Sequence, residues 1–268
     1  MNKRGKVFLI GAGPGDPELL TIKAVKALGA ADVILIDALV NPAVLEHAQA
    51  TARVIEVGKR GGCRSTPQAL IERLMTREAR AGLVVARVKG GDPCMFGRGG
   101  EELETLTRAG IEVEIINGIT AGIAAPTAFG IPVTHREAGP GVIFVTGHTR
   151  DGDEPDWRAL AATKLSLVIY MGAARARTIA TQLVAGGLAA STPVAVIARA
   201  SGADECAEMM SLGELESRGL SPSIASPAII VIGEVVRRQV LPAGSTQNHR
   251  PVGQLVLVSR GSRKMASD

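Results

Sequence analysis

VVARVKGGDPCMFGRGGEE, residues 84–102, decides how the rest of the chain is read. The apolar run at 84–88 predicts a buried strand that ends at Lys89. A loop follows that holds Gly90, Gly91, Gly97, Gly99 and Gly100, with Asp92 and Arg98 among them. Glu101 and Glu102 then open a helix, where acidic side chains complement the helix dipole. Glycines at this density leave main-chain amides bare for a ligand to lie against. Loops at the carboxyl ends of strands are also where α/β proteins place their sites.

Working outward, strands are predicted at 6–10, 32–36, 54–57 and 113–116, with helical spacing between them. Leu19, Leu20, Ile22, Val25 and Leu28 recur at helical intervals after the turn GAGPGDPE. Asn41-Pro42 opens a short helix, and Ser65 or Thr66 caps the next, with Pro67 in its first turn. Strands alternating with helices predict an α/β protein with a parallel sheet. The segment EAGPG, 137–141, is the best linker, so an N-terminal α/β domain is expected over 1–137. Alternation restarts beyond it, with strands at 142–145, 167–170, 193–198, 209–212 and 228–232 and a helix at 174–184, so a second α/β domain is expected over 141–240. Residues 241–268 are polar and rich in Gly and Ser, and are expected as a flexible tail.

Composition narrows the function. Among 268 residues there are one Trp, one Tyr and four Phe, too few aromatic platforms for nucleic-acid binding by base stacking. The net charge of +4 is scattered, which suits an anionic small molecule better than a DNA track. Cys63, Cys94 and Cys206 are far apart, with no C-x-x-C, and the four histidines show no ligand spacing, so neither a disulfide framework nor a metal site is expected. The amino terminus is basic and then apolar like a leader, but the apolar run breaks at Gly11 and Pro14. No run of about 18 apolar residues offers a transmembrane helix. A cytoplasmic protein is the expectation.

GAGPGD resembles a dinucleotide fingerprint, with Asp37 placed where a ribose-binding acid belongs. Asp16 breaks that fingerprint, and a turn carrying Asp16 and Glu18 would repel a pyrophosphate. Five blocks in order point elsewhere: GAGPGDPELLT, VGKRGG…STPQ, GGDPCMFGRGGEE, GIPVTHR and VTGH…YMG. Together they closely resemble the uroporphyrinogen-III C-methyltransferases, members of the tetrapyrrole (class III) methyltransferases, over residues 5–238.

The resemblance implies two α/β domains with S-adenosylmethionine folded in the cleft between them. The matching cofactor positions are Pro14, Gly90, Gly91, Asp92, Met95, Thr120, Ala121, Met171, Ala200 and Ala228. Small residues and bare backbone let a folded adenosyl ligand approach closely. The implied substrate, uroporphyrinogen III, is a macrocycle with eight carboxylates, which Arg and Lys at a rim would hold. Arg98, Glu101, Arg136 and His148 match the tetrapyrrole side. Asp37 and Lys59 match positions assigned proton-acceptor and proton-donor roles. Arginine stays protonated at neutral pH, so Asp37 is read as the base and Arg98 as a group that positions carboxylates. The resemblance further implies methylation at C2 and C7 to precorrin-2, with no further step because no dehydrogenase/chelatase module is present, and a homodimer.

Four departures from the family pattern stand out: Ala38 after the Asp, Cys94-Met95, Asn117 in place of Pro, and IARAS at 197–201, which is closer to ring methyltransferases acting later in cobalamin synthesis. The alternatives are therefore a later precorrin methyltransferase, an NAD(P)-dependent oxidoreductase, and a non-catalytic tetrapyrrole carrier. Each residue also has a bland reading. Asp37 can cap a turn, Lys59 can be a solvated charge, and Arg98 can pair with Glu101 to hold the loop.

Overall fold

The structure, a computed structural model, describes residues 5–58, 66–148, 153–202, 204–240 and 255–256. Its contacts divide the chain into two units, Met1–Thr120 and Ala121–Asp268. Among the described residues no helix is long and apolar enough to cross a membrane.

In the first unit, β1 (Lys6–Gly11), β2 (Val33–Ile36), β3 (Arg53–Glu56), β4 (Val84–Lys89) and β5 (Glu112–Ile116) form one sheet in the order β3-β2-β4-β1-β5. Every neighbouring pair is parallel, as the alternation predicts. Helix α1 (Ile22–Gly29) covers one face, and α2 (Gln68–Arg80) and α3 (Gly99–Arg108) cover the other. The two-residue period of β1 divides its side chains accordingly. Val7 and Leu9 join Ile71, Met75 and Leu106, whereas Ile10 and Ala12 join Ala24 and Leu28. Full burial of a side chain such as Leu28 contributes about 1.5–3 kcal/mol.

Local starts and stops differ from the sequence reading in three places. The helical pattern after β1 is broken. Asp16 caps a 3-10 turn at Pro17–Leu19, and Thr21 then caps α1 through the Ala24 amide. The segment opened by Asn41-Pro42 is a 3-10 turn, Pro42–His47, capped by the Asn41 side chain. Pro67 occupies the N-cap of α2, which has no side-chain cap bond; Ser65 lies outside the described residues.

In the second unit the parallel expectation is corrected. The strands β6 (Val142–Thr146), β7 (Ser166–Tyr170), β8 (Pro193–Ala198), β9 (Cys206–Ser211), β10 (Ala228–Ile232) and β11 (Leu255–Val256) lie in the order β11-β9-β8-β10-β7-β6. Only β6 and β7 pair in parallel. β10 inserts antiparallel between β7 and β8, because the chain reverses after β8 and α7 (Leu212–Arg218) returns it with that reversed direction. Two helices not expected from periodicity, α5 (Trp157–Ala162) and α7, join α6 (Ala176–Ala185) on one face. A capping box of Ser211 and Glu214 starts α7, and Asp156 caps α5. β9 begins at Cys206 rather than 209, since the buried Glu208 that interrupts the apolar run is held by Arg218 and the Ser221 amide.

The boundary between units falls at Thr120/Ala121, not at 137–141. Helix α4 (Ala121–Ala128) packs on β7, β8 and β10, so it belongs with the second sheet. The EAGPG segment is part of a turn closed by a His135–Gly139 bridge. Of the expected tail, Leu255–Val256 form an edge strand against β9, and the rest beyond Val240 lies outside the described residues.

Candidate active site

The parallel sheet of the first unit places the loops after β1, β2, β4 and β5 on one edge. Pro14, Asp37, the 90–98 loop and Thr120 are carried there. β1 and β4 are neighbours, but their following helices go to opposite faces, the arrangement that opens a crevice at the strand ends.

At that crevice three backbones converge. Gly13 and Gly91 bridge β1 and β4 beyond the strands, with amide-to-carbonyl distances of 3.1 and 2.7 Å. A Cβ on Gly118 would stand 2.2 Å from the Gly91 carbonyl oxygen and 2.7 Å from Gly11. The glycine-rich motifs therefore serve first to bring strand ends together. Asp92 locks the junction. One carboxylate oxygen accepts the Cys94 amide at 2.8 Å, and the other accepts the Gly118 amide and the Asn117 side chain, both at 3.1 Å. Asn117 thus supplies a donor that proline could not. Partial burial and the Asp92 carboxylate push the Cys94 thiol up, which makes it a poor nucleophile.

Arg98 sits at φ 59° just before α3, and its guanidinium donates to Glu101 through Nε at 2.9 Å and Nη2 at 2.5 Å. The Glu101 hydrogen bond raises the Arg98 pKa further, against a smaller effect of burial. A proton-accepting role is thereby disfavoured. The pair is exposed, so parting it costs at most about 1 kcal/mol, and Arg98 can be released to an anionic ligand.

Beneath this edge lies a charged group that the sequence reading missed. Arg87, 2% exposed, donates to Asp37 at 2.7 Å and to Glu102 at 3.1 Å. Lys89 reaches Glu102 at 3.1 Å and stands 3.8 Å from Asp37. Gln68 adds a third donor to the same Glu102 oxygen at 3.0 Å. The signal was present: an arginine inside an apolar strand demands a buried partner.

In the second unit, registers explain how distant residues meet. Thr146 pairs with Tyr170, Ile229 with Tyr170, and Ala228 with Ala198. The ends of β6, β7 and β8 and the start of β10 therefore share one edge. That edge carries His148, Met171, Ala200 and Ala228. Ala121 joins them, because the Gly122 amide donates to the Tyr170 hydroxyl at 2.8 Å. Met171 is 52% exposed at φ 54°, and the three alanines put no large side chain on this edge. The residues fit a ligand held by backbone and small side chains. His148 is exposed. Arg136 belongs elsewhere in this unit. Its turn packs by Gly139 against Ser166, at the opposite end of β7. Lys59 lies outside the described residues.

The geometry does not favour a dinucleotide. A pyrophosphate needs a helix that begins at the glycines, and here α1 starts only after the 3-10 turn. Comparison with known proteins settles the family. The model of the Tetrapyrrole (Corrin/Porphyrin) Methylases matches residues 6–216. The chain belongs to that family. This methylase is 56% identical to a uroporphyrinogen-III C-methyltransferase of Pseudomonas aeruginosa over 87% of this chain and 95% of the relative. It also superposes on the crystal structure of a uroporphyrin-III C-methyl transferase from Thermus thermophilus complexed with S-adenyl homocysteine, at TM-score 0.76 and 40% identity, covering 87% of this chain and 94% of that one. A cobalt precorrin-4 methyltransferase gives TM-score 0.77 at 28% identity, over 86% of the methylase and 95% of the other chain.

Proposed function

We infer that the chain is a uroporphyrinogen-III C-methyltransferase. It methylates uroporphyrinogen III at C2 and C7, giving precorrin-2 by way of precorrin-1 and releasing S-adenosylhomocysteine. The observation that carries this is the 56% identity to an enzyme of that name across nearly the whole of both chains. S-adenosylmethionine is the co-substrate, as the homologous complex with S-adenyl homocysteine supports.

Bound S-adenosylmethionine supplies a methyl on a sulfonium, which an electron-rich pyrrole carbon can take directly, without a covalent enzyme intermediate. The protein's part is to orient and to remove a proton. In our reading the first unit's edge holds the cofactor through Pro14, Gly90, Gly91, Asp92, Met95 and Thr120. The second unit's edge does so through Ala121, Met171, Ala200 and Ala228. Arg98 holds substrate carboxylates, with Glu101 orienting its guanidinium and His148 facing the macrocycle; Arg136, whose turn lies at the other end of β7, is left out of this set. Asp37, whose side chain is 28% exposed, accepts the one proton that the macrocycle loses for each methyl gained, and Lys59 keeps the proton-donor role that the resemblance implies. We also place the enzyme in the cytoplasm as a homodimer, on the family resemblance.

The likeness to cobalt precorrin-4 methyltransferase supports one rival, methylation of a later precorrin. Anaerobic incubation with enzymatically generated uroporphyrinogen III separates the two. S-adenosylhomocysteine release with two methyls on the macrocycle is expected; no methylation despite cofactor binding would move the substrate to a later precorrin. Asp37→Asn is expected to abolish turnover, and full turnover with an unchanged pH profile would overturn its role as base.

A further inference from the structure

Asp37 does not stand alone at the end of β2. Two cations from β4, Arg87 and Lys89, face it from the interior, and both are shared with Glu102 of α3. Glu102 is fully buried, and one of its oxygens collects all three donors. Its other oxygen has no hydrogen-bond partner among the described residues. That is an expensive arrangement for a purely structural ion pair, since an apolar substitute of like volume would cost less. Its geometry has a specific consequence. Every contact that Glu102 makes with Arg87 or Lys89 competes with Asp37 for the same positive charge.

We propose that Glu102 and Lys89 are positioning residues for the reaction, which together set the pH above which Asp37 takes up the substrate's proton. Glu102 draws the two cations inward and so takes a share of the positive charge that faces Asp37. Lys89 supplies the second cation, without which two carboxylates would share Arg87. Burial lowers the Lys89 pKa, and Arg87 adds to that, whereas Glu102 and Asp37 act to raise it. Among the described residues, Arg98 is the further charged group that acts on Glu102, and it is itself faced by Glu101 of α3 and Glu72 of α2. This inference rests on the reading of Asp37 as the base.

The test is the pH dependence of kcat at saturating substrates, read as the position of its acid limb. Glu102→Gln leaves two cations facing one carboxylate, so the limb moves to lower pH. Lys89→Met leaves one cation between two carboxylates, so the limb moves to higher pH, by about one unit or more for a charge at this range. The double variant Lys89→Met/Glu102→Gln restores the balance, and its limb returns towards wild type. Lys89→Arg keeps the charge and the limb position, and with the double variant it decides the matter if either single variant fails to fold. A merely structural role would lower activity without moving the limb in opposite directions. Limbs that stay put, or move the same way, overturn the proposal. If Asp37→Asn is inactive while those limbs stay put, this inference fails and the base stands. If Asp37→Asn is fully active, both fall.

Discussion

Gly99 and Gly100 are adjacent, both lie in the first turn of α3, and the sequence offers no means of ranking them. The structure separates them sharply. A Cβ on Gly99 would stand 2.4 Å from the Pro93 carbonyl oxygen and 2.8 Å from its carbon, while one on Gly100 meets nothing within 4 Å. The obstruction at Gly99 is backbone of a buried residue, so it cannot swing aside like a side chain. Gly99→Ala must push apart the two ends of the 93–99 loop. Overpacking of this kind costs about 1–3 kcal/mol. The Gly99 amide also donates to the same carbonyl at 2.9 Å, and loss of that bond adds about 1 kcal/mol. Gly100→Ala changes only the unfolded chain's freedom and should stabilise by about 0.4–1 kcal/mol. Urea unfolding of both variants measures the difference. Because Arg98 immediately precedes Gly99, Gly99→Ala should also lower kcat/KM for uroporphyrinogen III, whereas Gly100→Ala should not change it. A Gly99→Ala protein as stable as wild type, or less destabilised than Gly100→Ala, would refute the close-approach argument.

Two further outcomes follow from the structure. Tyr170→Phe leaves the buried Gly122 amide without its acceptor, so stability should fall by about 1–3 kcal/mol, and hydrogen exchange at Gly122 should quicken. Glu114 is held down to about 2 by hydrogen bonds from Lys23 and Lys6, so its contribution to stability is present above its ordinary value of 4.5 and is lost as pH falls through about 2. The urea midpoints of wild type and Glu114→Gln should accordingly differ at pH 6 and converge on acidification; a gap that stays constant would contradict the pairing.

Much of the first unit was legible because its central strands β1, β2 and β4 are largely apolar and buried, with amphipathic helices between strands, and local periodicity encodes both. The motif blocks were likewise readable as sites, because glycines and an aspartate after a strand have few other uses. The second unit was harder. Glu208 disguised β9, and no local signal says which way a strand will run, so the insertion of β10 between β7 and β8 could not be read from periodicity. The Ser211–Glu214 box that starts α7 is a local signal that the sequence does carry.

The sequence alone determined the α/β class and the family, since short blocks of fixed order survive as chemistry along the chain. Tertiary structure decided which residues share an edge, because register and strand direction are set by packing at long range. It alone brought Met171, Ala200 and Ala228 to one end of a sheet. It also alone gave Asp37 its partners. In sequence Arg87 falls inside an apolar run and Lys89 at a strand's end, and only burial against Glu102 makes them part of one electrostatic unit. A charge taken out of water must find its counter-charge wherever the fold puts it, and that place is not written in the residues beside it.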